Sequence, residues 1–470
     1  MQNRYGTLKG TFMAADTKKL DMLNGPIWNK LPRFALPVAA TAMLEQLFNA
    51  SDIAVVGNFT GDNSTAAVAA VGANAPVIGL IVNLFIGISL GANVVISNAI
   101  GRKDKDSVSR SVHTSVLMAL ICGVAVAILG ELFAGTLLSA INVPPDVLPS
   151  AILYLRIYFI GMPVILLYNF EAAIFRSIGD TKVPLAALAV SGVLNVILNL
   201  FFVIVLGMTV DGVAVATVIS NAVSAAILFR RLMVSDKWVR LYPRRLSIDP
   251  QSLRLILKIG LPAGIQSAVF ALSNIVIQSA INSLGKIVMA ASSAAYNIEI
   301  FAYYVMNSFS QACTTFVGQN YGAGKIDRCK KTFVLSLIED AIASGTAIFI
   351  VLLFGHTLLS VFDSDTEVIR IGYIRLAVIF FAYIFSMLYE VMSGYMRGFG
   401  ISLAPAILTT IGVCGVRIAW IKLVFPHSST FETIMTAYPI SLATTALLIF
   451  AALIVYRPSR RFAAQNKDIK

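Results

Sequence analysis

Long apolar runs alternate with short polar connections along the whole chain. The runs fall at about residues 34–57, 68–100, 113–142, 150–174, 184–206 and 211–234. A charged stretch, SDKWVRLYPRRLSIDPQSLRLILK, follows. Six more runs fall at about 259–284, 289–317, 333–361, 368–396, 404–426 and 433–456. About 20 apolar residues in a helix cross the hydrocarbon core of a bilayer. Barrel strands would instead show short alternating segments. The pattern predicts twelve transmembrane helices, six on each side of the charged stretch. The expected division is an N-terminal segment (1–33), a first six-helix bundle (34–234), a linker (235–258), a second bundle (259–456) and a tail (457–470).

Composition agrees with this class. Apolar residues make up 57% and charged residues 13%, against about 25% charged in soluble domains. A soluble multidomain enzyme and a disordered chain are both excluded. The formal charge is +12, from 36 basic and 24 acidic residues. On the span map, 30 of the 36 basic residues fall in the N-terminal segment, the loops after even-numbered spans and the tail. Lys286 and Arg370 alone fall at the opposite loops and their edges. This asymmetry places both termini in the cytoplasm, with the chain in the inner (cytoplasmic) membrane. The positive charge is thereby accounted for by topology, with no nucleic acid implied. Cys122, Cys313, Cys329 and Cys414 have no metal or disulfide spacing. His113, His356 and His427 are isolated, and GQNYGAGK lacks the glycine spacing of a phosphate loop. No secretory signal and no ATP-binding domain are read, and no cofactor is expected.

The two halves repeat. Arg176, Gly179 and Pro184 follow span 4, and Arg397, Gly400 and Pro405 follow span 10, at the same spacing and 221 residues later. Gly101 and Gly322, and Asn98 and Gln319, match at that offset. Each half opens with Leu-Pro, at Leu36-Pro37 and Leu261-Pro262, displaced by 225. Six spans return the chain to its starting side, so the repeat is parallel. The expected fold is all-α, with two pseudo-symmetric six-helix bundles and a cleft that rocking can open alternately, an architecture used by transporters.

Ionisable groups inside spans are functional candidates, because burying a charge there costs at least about 2.5 kcal/mol. In span 1, Glu45, Asn49 and Asp52 share one helical face. A carboxyl there can take up a proton or a sodium ion; the stripe can also serve as hydrogen-bonding glue between helices. Asn195 and Asn199 stand one turn apart in span 5 and offer amide oxygens. Thr217 in span 6 reads, by itself, as a packing residue. Span 7 carries Gln266, Asn274 and Gln278 but no acid. Glu299 in span 8 lies amid Tyr296, Tyr303 and Tyr304; it can line a pocket for an organic cation or sit at the interface. Arg417 in span 11 is expected to pair with an acid or with carbonyls.

NGPIWNKLPRFALP, SDIAVVGNFTG, FRSIGDTKVPL, GVAVATVIS and FVGQNYGAG, in this order, resemble the multidrug and toxic compound extrusion (MATE) family of bacterial type. The likeness runs from about residue 24 to 456. It implies a V-shaped pair of bundles that exports organic compounds against entry of a proton or a sodium ion. It also implies that Asp52, Asn195 and Thr217 belong to the cation-coupling site. The second acid of that site in the family falls on Asn199 here, so one carboxylate is missing. Glu45, on the Asp52 face, is the residue placed to compensate, and the loss of charge favours a proton. Phe270 stands near the place of the acid used by the family's other branch. Glu45, Asn49, Gln266, Asn274, Gln278 and Glu299 are the candidate substrate-cavity residues. The chain is expected to work as a monomer. The alternatives are a flippase for a lipid-linked precursor, which would need a cationic cavity, and a membrane prenyl transferase, which would need aspartate-rich motifs.

Overall fold

The computed structural model describes residues 20–61, 64–141, 143–235 and 238–465, with side chains as far as Arg461. Among the loop cations counted above, Arg4, Lys9, Lys18, Lys19, Lys237, Lys467 and Lys470 lie outside the described residues.

All regular structure among the described residues is helical. The first half contains α1 (Leu31–Phe59), α2 (Ser64–Gly101), α3 (Lys105–Ala140) and α4, which is broken into Leu148–Ile160 and Met162–Ser177. Then come α5 (Lys182–Leu200, continued by a wide turn Phe201–Val205) and α6 (Val210–Val234). The second half contains α7 (Pro250–Asn282), α8 (Lys286–Gly322), α9 (Ile326–Ser360) and α10 (Thr366–Gly398). It ends with α11 (Leu403–Thr409, a wide turn Thr410–Gly415, then Val416–Leu423), α12 (Phe431–Tyr456) and the short α13 (Pro458–Gln465). The helices outrun their apolar runs. α7, for example, starts at Pro250, inside the charged stretch, where the Asp249 carboxylate caps the Ser252 amide at 2.8 Å.

Nine of these helices are long and apolar enough to cross a membrane, and α4 joins them as a pair bent by 50°. The bend falls at Gly161-Met162-Pro163, where proline removes a backbone donor. α1 and α8 are as long but more polar, and they complete the twelve.

The repeat is visible in backbone geometry. Gly179 and Gly400 end α4 and α10 in the left-handed region, at φ +81° and +82°. The Asp180 amide donates to the Phe175 carbonyl, and the Ile401 amide donates to the Met396 carbonyl. This is the same helix stop built twice, and it explains the paired glycines in the sequence.

The bundles meet face to face through backbone. A Cβ on Gly101 would overlap the Gln319 carbonyl, and a Cβ on Gly322 would overlap the Asn98 carbonyl. These are the two residue pairs related by 221, and their contacts are reciprocal, so the pseudo-two-fold axis passes between them. Further along α2, Gly87 lies against Gly264, and Gly91 against Gly260. Arg328 adds a polar lock, donating to the carbonyls of Met22, Asn24 and Gly25. All these contacts lie toward the end of the molecule that carries the basic loops.

Candidate functional site

The interior of the first bundle holds a cavity of about 150 Å³, lined by residues of α1, α2, α4, α5 and α6. The α1 stripe faces it: Glu45, Asn49 and Asp52 all line the space. α5 approaches α1 closely because Gly192 has no side chain; a Cβ there would run into the Phe48 ring.

Asp52 is the centre of the polar network and is 4% exposed. Asn199 Nδ2 donates to its Oδ1 at 2.6 Å, and the Thr217 hydroxyl donates to its Oδ2 at 2.9 Å. Asn199 Nδ2 also donates to Asn195 Oδ1 at 3.2 Å, and Asn195 Nδ2 donates to Thr217 Oγ1 at 3.3 Å. Three neutral residues from two helices, Asn195 and Asn199 of α5 and Thr217 of α6, therefore form a hydrogen-bonded ring with the one carboxylate. Asn199 Oδ1 is buried without a partner. The backbone widens just past this point, at Phe201–Val205, and such turns recur at functional sites.

The structure thus brings together Asp52, Asn195, Asn199 and Thr217, with Glu45 and Asn49 further along the same wall. Sequence reasoning missed Tyr158, Tyr168, Asn169 and Asn221, which also line the cavity. By sequence alone Arg176 reads as a loop cation. The residue lies in the last turn of α4, within electrostatic reach of Glu45 and Tyr168. Its place seven residues after Asn169 was the available signal, since that spacing returns to the same helical face.

The second-bundle candidates are not gathered in this cavity. Gln266 accepts from Arg397 at 2.9 Å. Gln278 is exposed and donates to Asn282 on its own helix. Glu299 is buried and holds Arg375 through two hydrogen bonds, at 2.6 and 3.0 Å. The Arg375 guanidinium lies over the rings of Tyr296 and Tyr438, at 5.9 and 5.8 Å. The aromatic cluster read from the sequence is therefore filled by the protein's own cation. Arg417 was expected to pair with an acid or carbonyls. Among the described residues it has no acid beside it: it donates to the side-chain carbonyl oxygen of Asn274 and to the Ser441 hydroxyl, with Tyr438 and Phe270 beneath it at 4.3 and 5.4 Å. Stacking on two rings offsets the burial of this charge.

The MatE family model matches two stretches of the chain, residues 37–201 and 262–421. They begin at Pro37 and Pro262, the prolines that open the two halves. The chain belongs to the MatE family. Members of this family are transporters, not enzymes, and the prenyl transferase reading falls away. Among its relatives is the probable multidrug resistance protein YoeA of Bacillus subtilis (strain 168). The two are 28% identical over 90% of this chain and 93% of the relative. The probable multidrug resistance protein NorM of Thermotoga maritima is 27% identical over 83% and 84%. The fold matches a solved structure described as the outward-facing conformation of a multidrug resistance MATE family transporter, with a TM-score of 0.85. That match has 23% identity and covers 96% of this chain and 99% of the other. The all-α, two-bundle, twelve-span reading of the sequence holds.

Proposed function

We propose that this transporter exports small amphipathic or cationic organic compounds by cation-coupled antiport with alternating access, and that Asp52 carries the coupling ion. One observation supports this most: a single buried carboxylate, lining a cavity, on which neutral donors from two further helices converge. An anion so placed attracts either a cationic substrate or a coupling cation, and loading one disfavours the other. The names of the Bacillus and Thermotoga relatives favour drug export. The flippase alternative is disfavoured, because the polar lining of the cavity consists of acids, amides and hydroxyls.

Proton coupling fits the ring of donors better than sodium coupling. Protonating Asp52 Oδ2 requires only that the Thr217 hydroxyl rotate and accept, which a hydroxyl can do. Asn199 keeps its bond to Oδ1 throughout. A sodium ion would require several fixed oxygens, and the Asn199 amide would have to turn its unpartnered oxygen inward. Glu45, with Arg176 behind it, serves as a relay or substrate contact on the path to Asp52. The coordination ring, Asp52 with Asn195, Asn199 and Thr217, is the coupling site, and Glu45 and Asn49 are its entrance.

The working units are residues 34–234 and 259–456, which rock about the glycine contacts, with 1–33, 235–258 and 457–470 on the cytoplasmic side. The chain acts as a monomer in the inner membrane. Asp52→Asn should abolish gradient-driven export of a fluorescent cationic dye while leaving the protein inserted and folded, and Glu45→Gln should slow it. Export at the wild-type rate by Asp52→Asn, at equal expression, would remove the basis of the proposal.

A further inference from the structure

A second hollow lies on the outside of the second bundle, between α7 and α11. It measures about 490 Å³, and its walls are almost wholly apolar. Leu261 and Ile265 of α7 and Leu403, Ile407 and Ile411 of α11 line it, and all five are exposed. Exposed apolar walls on a membrane-spanning bundle face lipid. The hollow exists because Ala406 and Pro262 are small where the helices pass, and because the wide turn of α11 begins at Thr410. The polar Gln266 in its wall is satisfied from behind by Arg397.

α7 and α11 both enter the membrane from the end that carries the basic loops. The groove runs along α7 from Lys258 to Gln266, a rise of about 12 Å at roughly 1.5 Å per residue. That is close to one leaflet, half of a hydrocarbon core of about 30 Å. At its mouth stands the exposed Lys258, with the exposed Arg254 one turn earlier on the same face. No acidic side chain is among the groove's lining residues.

We propose that this groove is a binding site for an anionic diacyl phospholipid of the leaflet on the basic-loop side. An acyl chain lies between α7 and α11, and the phosphate is held by Lys258 and Arg254. The cationic mouth distinguishes it from an ordinary apolar face, which any lipid would wet equally.

The test is native mass spectrometry of the full chain purified in detergent and supplied with equimolar phosphatidylglycerol and phosphatidylcholine. The wild type should retain phosphatidylglycerol in preference. Lys258→Gln should lower that preference about fivefold, the worth of one basic residue near a charged lipid. Ile407→Trp, at an exposed position, should fill the groove and lower retention of both lipids. Lys182→Gln, which removes an exposed cation from the same end of the first bundle, should change nothing. The proposal is overturned if the wild type retains both lipids equally, or if Lys258→Gln keeps the preference. It is equally overturned if Ile407→Trp retains lipid as before, or if Lys182→Gln has the same effect as Lys258→Gln.

Discussion

Asn199→Asp restores a second carboxylate beside Asp52 and turns the charge balance of the site into a measurable quantity. The Asn199 side-chain nitrogen now lies 2.6 Å from Asp52 Oδ1. An aspartate in its place exchanges an attractive donor for a like charge. Two unit charges about 4 Å apart repel by roughly 4 kcal/mol at an effective dielectric constant of about 20. The pair must recover this by taking up a cation. If sodium recovers half of it, sodium affinity rises about thirtyfold. Purified wild type and variant should be compared by thermal unfolding across a sodium series at fixed pH and constant ionic strength. The midpoint of the variant should climb with sodium, and that of the wild type should stay flat. Dye transport by the variant in liposomes should become sodium-sensitive in parallel. A folded variant whose midpoint and transport ignore sodium would refute the assignment of Asn199 to the coupling site.

Two further outcomes follow from the bundle contacts. Gly264→Leu places a side chain where the α2 backbone passes and should prop the halves apart on the basic-loop side. A cysteine at Asn49 should then react faster with a thiol reagent applied from that side, and unchanged reactivity would contradict the rocking contact. Glu299→Gln leaves Arg375 buried without its carboxylate and should cost about 3–5 kcal/mol. This is read as a lower unfolding midpoint or lost folded yield, and a variant as stable as wild type would show that the pair does not support the bundle.

Much of this molecule is legible in one sequence because a bilayer restricts what its residues can do. Apolar runs set the spans, the basic loops set their alternation, and the helix-stop glycines at 179 and 400 betray the repeat, since the stop requires φ above zero at both. The buried place of Asp52 in a polar network was legible for the same reason: a carboxylate within a span needs partners. What stayed hidden was partner choice between helices. Glu299 looked free because Arg375 lies 76 residues away in another span, and only packing joins them. Arg176 reads as a loop residue because apolar periodicity stops about a turn before α4 does. Gln278 was on offer as a cavity amide, but sequence spacing does not say which face of α7 meets the interior.

The most direct test of the central claim is substrate flux through purified wild-type protein in liposomes under an imposed proton gradient, then under an imposed sodium gradient at matched membrane potential. If Asp52 couples export to proton entry, dye movement follows the proton gradient, persists without sodium, collapses with a protonophore, and disappears in Asp52→Asn. Flux that requires sodium and ignores the proton gradient would contradict this coupling.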